Sequence, residues 1–130
     1  MKIVILADNR KNELLSNFCV AYSHILESHE LYSLFHTAKL LESSTGLVIT
    51  GISTDIDSSL DQLASRARYN EVDAVIYIQD PSAHDYGRPN TLLEACDLNN
   101  IPYASNLASA ELLVLAIDRG DLDWRELVRP

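Results

Sequence analysis

The residues best suited to move protons cluster in one polar stretch, Gln79-Asp80-Pro81-Ser82-Ala83-His84-Asp85-Tyr86-Gly87-Arg88-Pro89. Near pH 7 the neutral imidazole of His84 can both give and take a proton, though a histidine in a surface turn is the plain alternative. A second stretch, Ala7-Asp8-Asn9-Arg10-Lys11, sets a carboxylate beside a lysine just before a helical pattern. Asp8 could bind a polar substrate while Lys11 and the helix N–H groups bind its phosphate; equally, Asp8 could be a helix-start charge and Lys11 a solvated side chain. In Phe35-His36-Thr37-Ala38, Thr37 is either an N-cap or a phosphate-binding hydroxyl. Ser53-Thr54-Asp55-Ile56-Asp57-Ser58-Ser59-Leu60-Asp61 adds carboxylates, one of which could be a general base if desolvated or paired, the others capping and solvating the loop. Ser105-Asn106-Leu107-Ala108-Ser109 has side chains small enough to let a ligand approach, or to cap a following helix.

Several other chemistries are excluded by what is missing. With 4 glycines there is no G-x-G-x-x-G or Walker loop, so a dinucleotide or nucleoside triphosphate held in those ways is not expected. No metal-ligand cluster and no G-x-S-x-G elbow appears. A phospho-acceptor domain would want an acidic pair after the first strand and a lysine after the fifth, where this chain has one aspartate and Ser-Asn. Cys19 and Cys96, the 2 cysteines, form no C-x-x-C pair and read as buried thiols. Lys and Arg number 10 against 19 Asp and Glu, a formal charge of -9, and a nucleic-acid backbone would be repelled. A small phosphate in a cleft is not, because a few N–H groups and one lysine suffice to hold it.

These polar stretches all follow apolar runs of strand length: Ile3–Leu6, Glu30–Leu34, Leu47–Ile52, Asp73–Ile78 and Ile101–Ser105. The near-continuous aliphatic character of several is that of parallel strands covered on both faces. Between them lie helical stripes: Leu14, Leu15, Phe18, Cys19, Tyr22, Ile25 and Leu26 in one helix; Leu40 and Leu41; Leu60, Leu63, Ala64 and Ala67; Leu92, Leu93 and Cys96; Leu112, Leu113, Ala116 and Ile117. The expected fold is α/β: a single domain over residues 1–130, three layers, with a doubly wound parallel sheet of about five strands and ligands bound outside the carboxyl ends of the strands. Residues 118–130 read as a tail or short helix carrying Trp124 and Leu127 among charges, which could dock either on the body or on a neighbouring subunit. The short apolar run at the start suits neither a signal peptide nor a membrane span, so no membrane partner and a cytoplasmic location are expected.

One segment is more specific than the rest. Asn100-Ile101-Pro102-Tyr103-Ala104-Ser105-Asn106-Leu107-Ala108-Ser109-Ala110-Glu111 is similar, almost position for position, to the N-I-P-x-A-T-N-x-A-T-A-[DE] segment of the methylglyoxal synthase family and its wider superfamily. Asp80-Pro81 resembles that family's W-D-P, His84-Asp85 its following His-Asp, Thr45-Gly46 its T-G, and Ala7-Asp8 through Lys11 its H-D-x-x-K. The resemblance covers nearly the whole chain. It implies conversion of dihydroxyacetone phosphate to methylglyoxal and inorganic phosphate without a cofactor or metal, in a homo-oligomer, commonly a hexamer, whose partner is a small phosphorylated metabolite. By motif position it implies that Asp61 (in Leu60-Asp61-Gln62, against G-G-D-Q) is the base, that His84 shuttles protons on the enediol oxygens, and that Asp8 is the first-loop catalytic aspartate. Phosphate binding would fall to Lys11 and Thr37, with His36, Ser53, Thr54 and Arg88 at neighbouring positions.

The chain departs from the family pattern at defined places. Ala7 holds the first-loop His position, Leu34 and His36 replace two threonines of T-G-T-T-G, Ser53-Thr54 stands for Gly-Pro, and Gly87 or Arg88 falls where a second carboxylate would. Hydroxyls lost from a phosphate cradle remove hydrogen bonds of about 1.5–3 kcal/mol each, which protonated His36 and Arg88 could partly restore. The alternative implied by the same resemblance is a non-catalytic sensing domain for a phosphate or nucleotide.

Overall fold

Ile3, Val4, Ile5 and Leu6 are each no more than 1% exposed in the computed structural model, as befits a strand covered on both faces. The structure describes residues 1–53 and 56–128, and for residues 56–58 the backbone without side chains. The chain runs β1 (Lys2–Ala7), a 3-10 turn (Asn9–Lys11), α1 (Asn12–Ala21), α2 (Ser23–Leu26), β2 (Glu30–Leu34), α3 (Phe35–Thr45), β3 (Ile49–Ile52), α4 (Ile56–Arg68), β4 (Ala74–Ile78), α5 (Thr91–Leu98), β5 (Tyr103–Ala104), α6 (Leu107–Asp118) and α7 (Trp124–Val128). The strands form one 5-stranded sheet in the order β3-β2-β1-β4-β5, and every pairing is parallel. Ile3 and Ile5 face a core with residues of α1, α2, α3 and α6; Val4 and Leu6 face the other, with residues of α4 and α5. The expected doubly wound, three-layer α/β architecture is therefore the one observed.

Local chemistry altered several elements. The first helical stripe breaks at Tyr22 (φ -110, ψ 18), which ends α1 and precedes α2. The Ser23 hydroxyl donates to the Val20 carbonyl at 3.1 Å, a side-chain bond that competes with the helical ladder. Gly46, left-handed at φ 74, closes α3, so β3 starts at Ile49 and leaves Val48 exposed. In α6 the buried face is Ala110, Val114 and Ile117, while Leu112 is 71% exposed. Apolar residues occur on nearly every side of that helix, so packing rather than hydrophobicity selects the face.

The tail docks through a charge. Trp124 and Leu127 are exposed, whereas Arg125 is 2% exposed and buried against Asp73, itself 1% exposed, with Nε to Oδ1 at 3.7 Å. The same guanidinium donates to the Asn100 carbonyl at 2.7 Å and to Asn70 Oδ1 at 2.6 Å, and Asp73 accepts from the Lys2 N–H at 2.8 Å. Arginine's planar fork suits such a site, ringed by carbonyls that a hydrophobic side chain would leave unsatisfied.

Candidate functional site

With β1 beside β4 at the sheet's centre, the chain leaves β1 toward one face and β4 toward the other, which opens a crevice at their carboxyl ends. Asp8 follows β1 there, and its N–H donates to the Ile78 carbonyl at 2.9 Å. Its carboxylate is held at both oxygens: Oδ2 accepts the Asp80 N–H at 2.6 Å and Oδ1 the Tyr77 hydroxyl at 3.2 Å. Burial pushes the Tyr77 phenol up to about 12, aided by the charge and hydrogen bond of Asp8 and by Asp85, with a bond from Asn90 pulling the other way. Tyr77 is therefore a protonated donor throughout the neutral range. Asp80 is buried, and hydrogen bonds from the Ser82 hydroxyl (2.7 Å) and N–H (2.9 Å) hold its carboxyl below the usual range, with Lys11 and Arg10 adding to the effect.

A hollow of about 450 Å³ opens beside Asp8, bordered by His36, Thr37, Ser53, Leu60, Tyr77 and Asp85. One wall is the start of α3, where the N-cap is Leu34 and offers no side-chain acceptor. The first N–H groups of that helix are thus left for solvent or a ligand anion. Thr37 is accordingly not the N-cap that one reading of the sequence allowed; it is the third residue of α3 and 7% exposed. The opposite wall is fixed by the turn after β3. Within β3 just before it, Gly51 lets the strand run close to the start of α3, since a Cβ would sit 3.0 Å from Phe35 Cα. Ser53 takes a left-handed backbone (φ 39) of the kind glycine adopts freely, and the buried Ser59 hydroxyl bonds the Ile52 carbonyl at 2.8 Å beneath it.

Two further hollows share this wall. One, about 540 Å³, is lined by His84 together with Asp8, Asn9, Arg10, Asp80 and Asp85. The other, about 590 Å³, is lined by Arg88 together with Asp8, Tyr77, Asp85, Asn90 and Tyr103. Asp8 and Asp85 border all three, and so bring Asp8, Thr37, His36, Ser53, His84 and Arg88 around one crevice.

Asp61 and Lys11 do not border these three hollows. Asp61 is on the exposed side of α4, and its neighbour Leu60 is the one that lines the crevice. Lys11 borders a separate hollow with Gln79, Ser105 and Asn106. Thr54 lies outside the described residues. Sequence reasoning assigned no role to Tyr77 or Asp85. For Tyr77 the available signal was a lone hydroxyl in the otherwise aliphatic run Ala74-Val75-Ile76-Tyr77-Ile78. For Asp85 it was adjacency to His84.

Among the described residues no group of His, Cys, Asp and Glu stands together as a metal-ligand set. Cys19 and Cys96 are buried free thiols, and burial pushes each up to about 12. No helix among the described residues is long and apolar enough to cross a membrane.

No family model matches the chain. Its curated relatives include the methylglyoxal synthase of Caldicellulosiruptor saccharolyticus, 42% identical over 132 aligned residues that cover 100% of this chain and 94% of the relative. That of Bacillus mycoides is 38% identical, and that of a Thermoanaerobacter species 35% identical, each over 98% of both chains. Among solved structures, a methylglyoxal synthase from Elizabethkingia anophelis superposes with a TM-score of 0.78 over 87% of this chain and 76% of that one, at 22% identity, a likeness of fold.

Proposed function

The chain belongs to the methylglyoxal synthase family, and from that premise we propose that it converts dihydroxyacetone phosphate to methylglyoxal and inorganic phosphate. It is a carbon–oxygen lyase acting on a small phosphorylated substrate. A carboxylate takes a proton from the hydroxymethyl carbon, and charge develops on the former carbonyl oxygen. The C–O bond to phosphate then breaks, inorganic phosphate leaves, and the resulting enol ketonises to methylglyoxal. The observation that carries the reading at this site is the wall formed by Asp8 and Asp85, which joins the hollow at the uncapped start of α3 to the hollow containing His84.

In this reading the phosphate lies against the first N–H groups of α3, with Thr37, His36 and Ser53 around it and Arg88 on the far side of Asp85. His84 moves protons between the enediol oxygens. The family resemblance assigns the base to Asp61, but the geometry favours Asp8 or Asp85, which border the crevice where Leu60 occupies the wall. Lys11 contributes through the field it shares with Arg10 near Asp80. Assembly into a homo-oligomer, with a hexamer as the family form, is part of the proposal; the exposed leucines Leu98 and Leu112 support it, and light scattering on the purified protein measures it. So is a cytoplasmic location, which suits two cysteines kept as thiols.

The test is incubation of purified protein with dihydroxyacetone phosphate, following phosphate and methylglyoxal together. Equal release of both supports the reaction, and loss of turnover in His84→Ala supports the proton shuttle. Loss of turnover in Asp8→Asn or Asp85→Asn supports a base at the crevice, and loss in Asp61→Asn alone overturns that assignment. Absence of turnover by the wild-type chain overturns the proposal.

A further inference from the structure

We propose that Tyr77 is a positioning residue that fixes the Asp8 carboxylate at the meeting point of the hollows; this rests on the reaction proposed above. Every other residue of β4 is aliphatic and no more than 2% exposed, so the strand needs no hydroxyl for its packing. A phenylalanine would fill the same apolar volume. What the hydroxyl adds is a donor to Asp8 Oδ1 at 3.2 Å, opposite the Asp80 N–H that holds Oδ2 at 2.6 Å.

The two donors sit on rigid supports. Strands β1 and β4 pair in register through Leu6↔Tyr77 and Ala7↔Ile78, and the Asp8 N–H closes the ladder on the Ile78 carbonyl at 2.9 Å. Asn90, the N-cap of α5, borders the same hollow as Tyr77, and its Oδ1 accepts the N–H groups of Leu92 (3.0 Å) and Leu93 (3.1 Å). The Tyr77 hydroxyl gives its proton to Asp8 Oδ1. The orientation of Asp8 is thus set from β4, by Tyr77 within the strand and by Asp80 just after it. Such support restricts a carboxylate to one rotamer and leaves its remaining lone pairs facing the crevice. The elevated phenol pKa agrees with this, since burial and the neighbouring carboxylates both keep the proton on Tyr77.

The experiment pairs Tyr77→Phe with Asp8→Asn. Tyr77→Phe keeps the ring and should leave thermal stability within a few degrees, while kcat falls by about tenfold, as for loss of one hydrogen bond to a charged group, and KM stays within about twofold. A rise in KM with kcat unchanged, or no change in either, overturns the proposal. A second arm needs no substrate: the Tyr77 ring carbon is followed by NMR as the phenol titrates, from about 12 in the wild type. Asp8→Asn removes the neighbouring charge and should lower that midpoint, while burial keeps it above the ordinary phenol value. An unmoved midpoint means that the pair does not exist in solution and overturns the proposal. Should the wild type show no turnover, the reaction fails, yet this titration still judges the contact.

Discussion

Replacing Arg125 by methionine removes the cation from a site in which Asp73 is 1% exposed and cannot reach water. The side chain is about the same length, so the cavity term is small. What remains is a buried carboxylate that has lost its neighbouring cation, together with the Asn100 carbonyl and Asn70 Oδ1 that the guanidinium held at 2.7 and 2.6 Å. Removing one member of a buried pair costs about 3–5 kcal/mol, a large fraction of the roughly 5–15 kcal/mol that holds a domain folded. The expected result of a urea titration is a drop of that size for R125M. Asp73→Asn made in the R125M background should recover part of the loss, because the buried charge is gone while the Lys2 N–H keeps an acceptor. The pair sits at the amino-terminal end of β4, away from the crevice, so activity per folded molecule should be unchanged. A cost below about 1 kcal/mol, or strictly additive effects of the two substitutions, would refute the claim that Arg125 anchors the tail.

Three other outcomes follow from the geometry. Gly51→Ala should destabilise by about 1–3 kcal/mol in denaturant, because the new methyl meets Phe35 Cα at 3.0 Å, where backbone rather than a flexible side chain must yield. Thr37→Val keeps the shape of a residue that is 7% exposed but deletes its hydroxyl, so KM for the phosphorylated substrate should rise by about tenfold in steady-state assays. Cys19 and Cys96 have folded-state values of about 12 against an ordinary 9.0, and Tyr77 about 12 against 10.0. In alkali the unfolded chain loses these protons first, so the stability they contribute is complete below pH 9 and declines as pH rises from there toward 12; urea midpoints at pH 8 and pH 10.5 should show the fall.

The fold was legible because a parallel sheet covered on both faces writes itself as continuous aliphatic runs, and Ile3–Leu6 and Val75–Ile78 are of that kind. Helix faces were legible where apolar and polar residues alternate cleanly, as at Leu63, Ala64 and Ala67, and illegible in α6, where leucines lie all around the axis. The docking of the tail was missed because the buried residue is an arginine, chosen by carbonyls that come from remote loops. At the site, the residues next to strand ends could be named from sequence, since topology alone delivers Asp8, Thr37 and His84 to one rim. Orientation could not. Which side chains of α4 line the crevice, Leu60 among them, depends on the rotation of the helix, and that is set by packing against α5, which motif spacing does not encode. Tyr77 escaped for the opposite reason: it looked like core, and only the pairing of β1 with β4 shows its hydroxyl reaching a carboxylate.

The central claim is that a carboxylate at the β1–β4 crevice deprotonates a substrate whose phosphate rests at the start of α3. It is tested most directly by transferring the wild-type protein and Asp8→Asn, Asp85→Asn and Asp61→Asn into deuterated water with dihydroxyacetone phosphate and following phosphate release, methylglyoxal and deuterium in the recovered substrate by NMR. The expected result is equal phosphate and methylglyoxal from the wild type, full activity in the Asp61 variant, and loss of both exchange and product on substitution at Asp8 or Asp85. Abolition of turnover by Asp61→Asn alone, or no exchange and no product from the wild type, would contradict it.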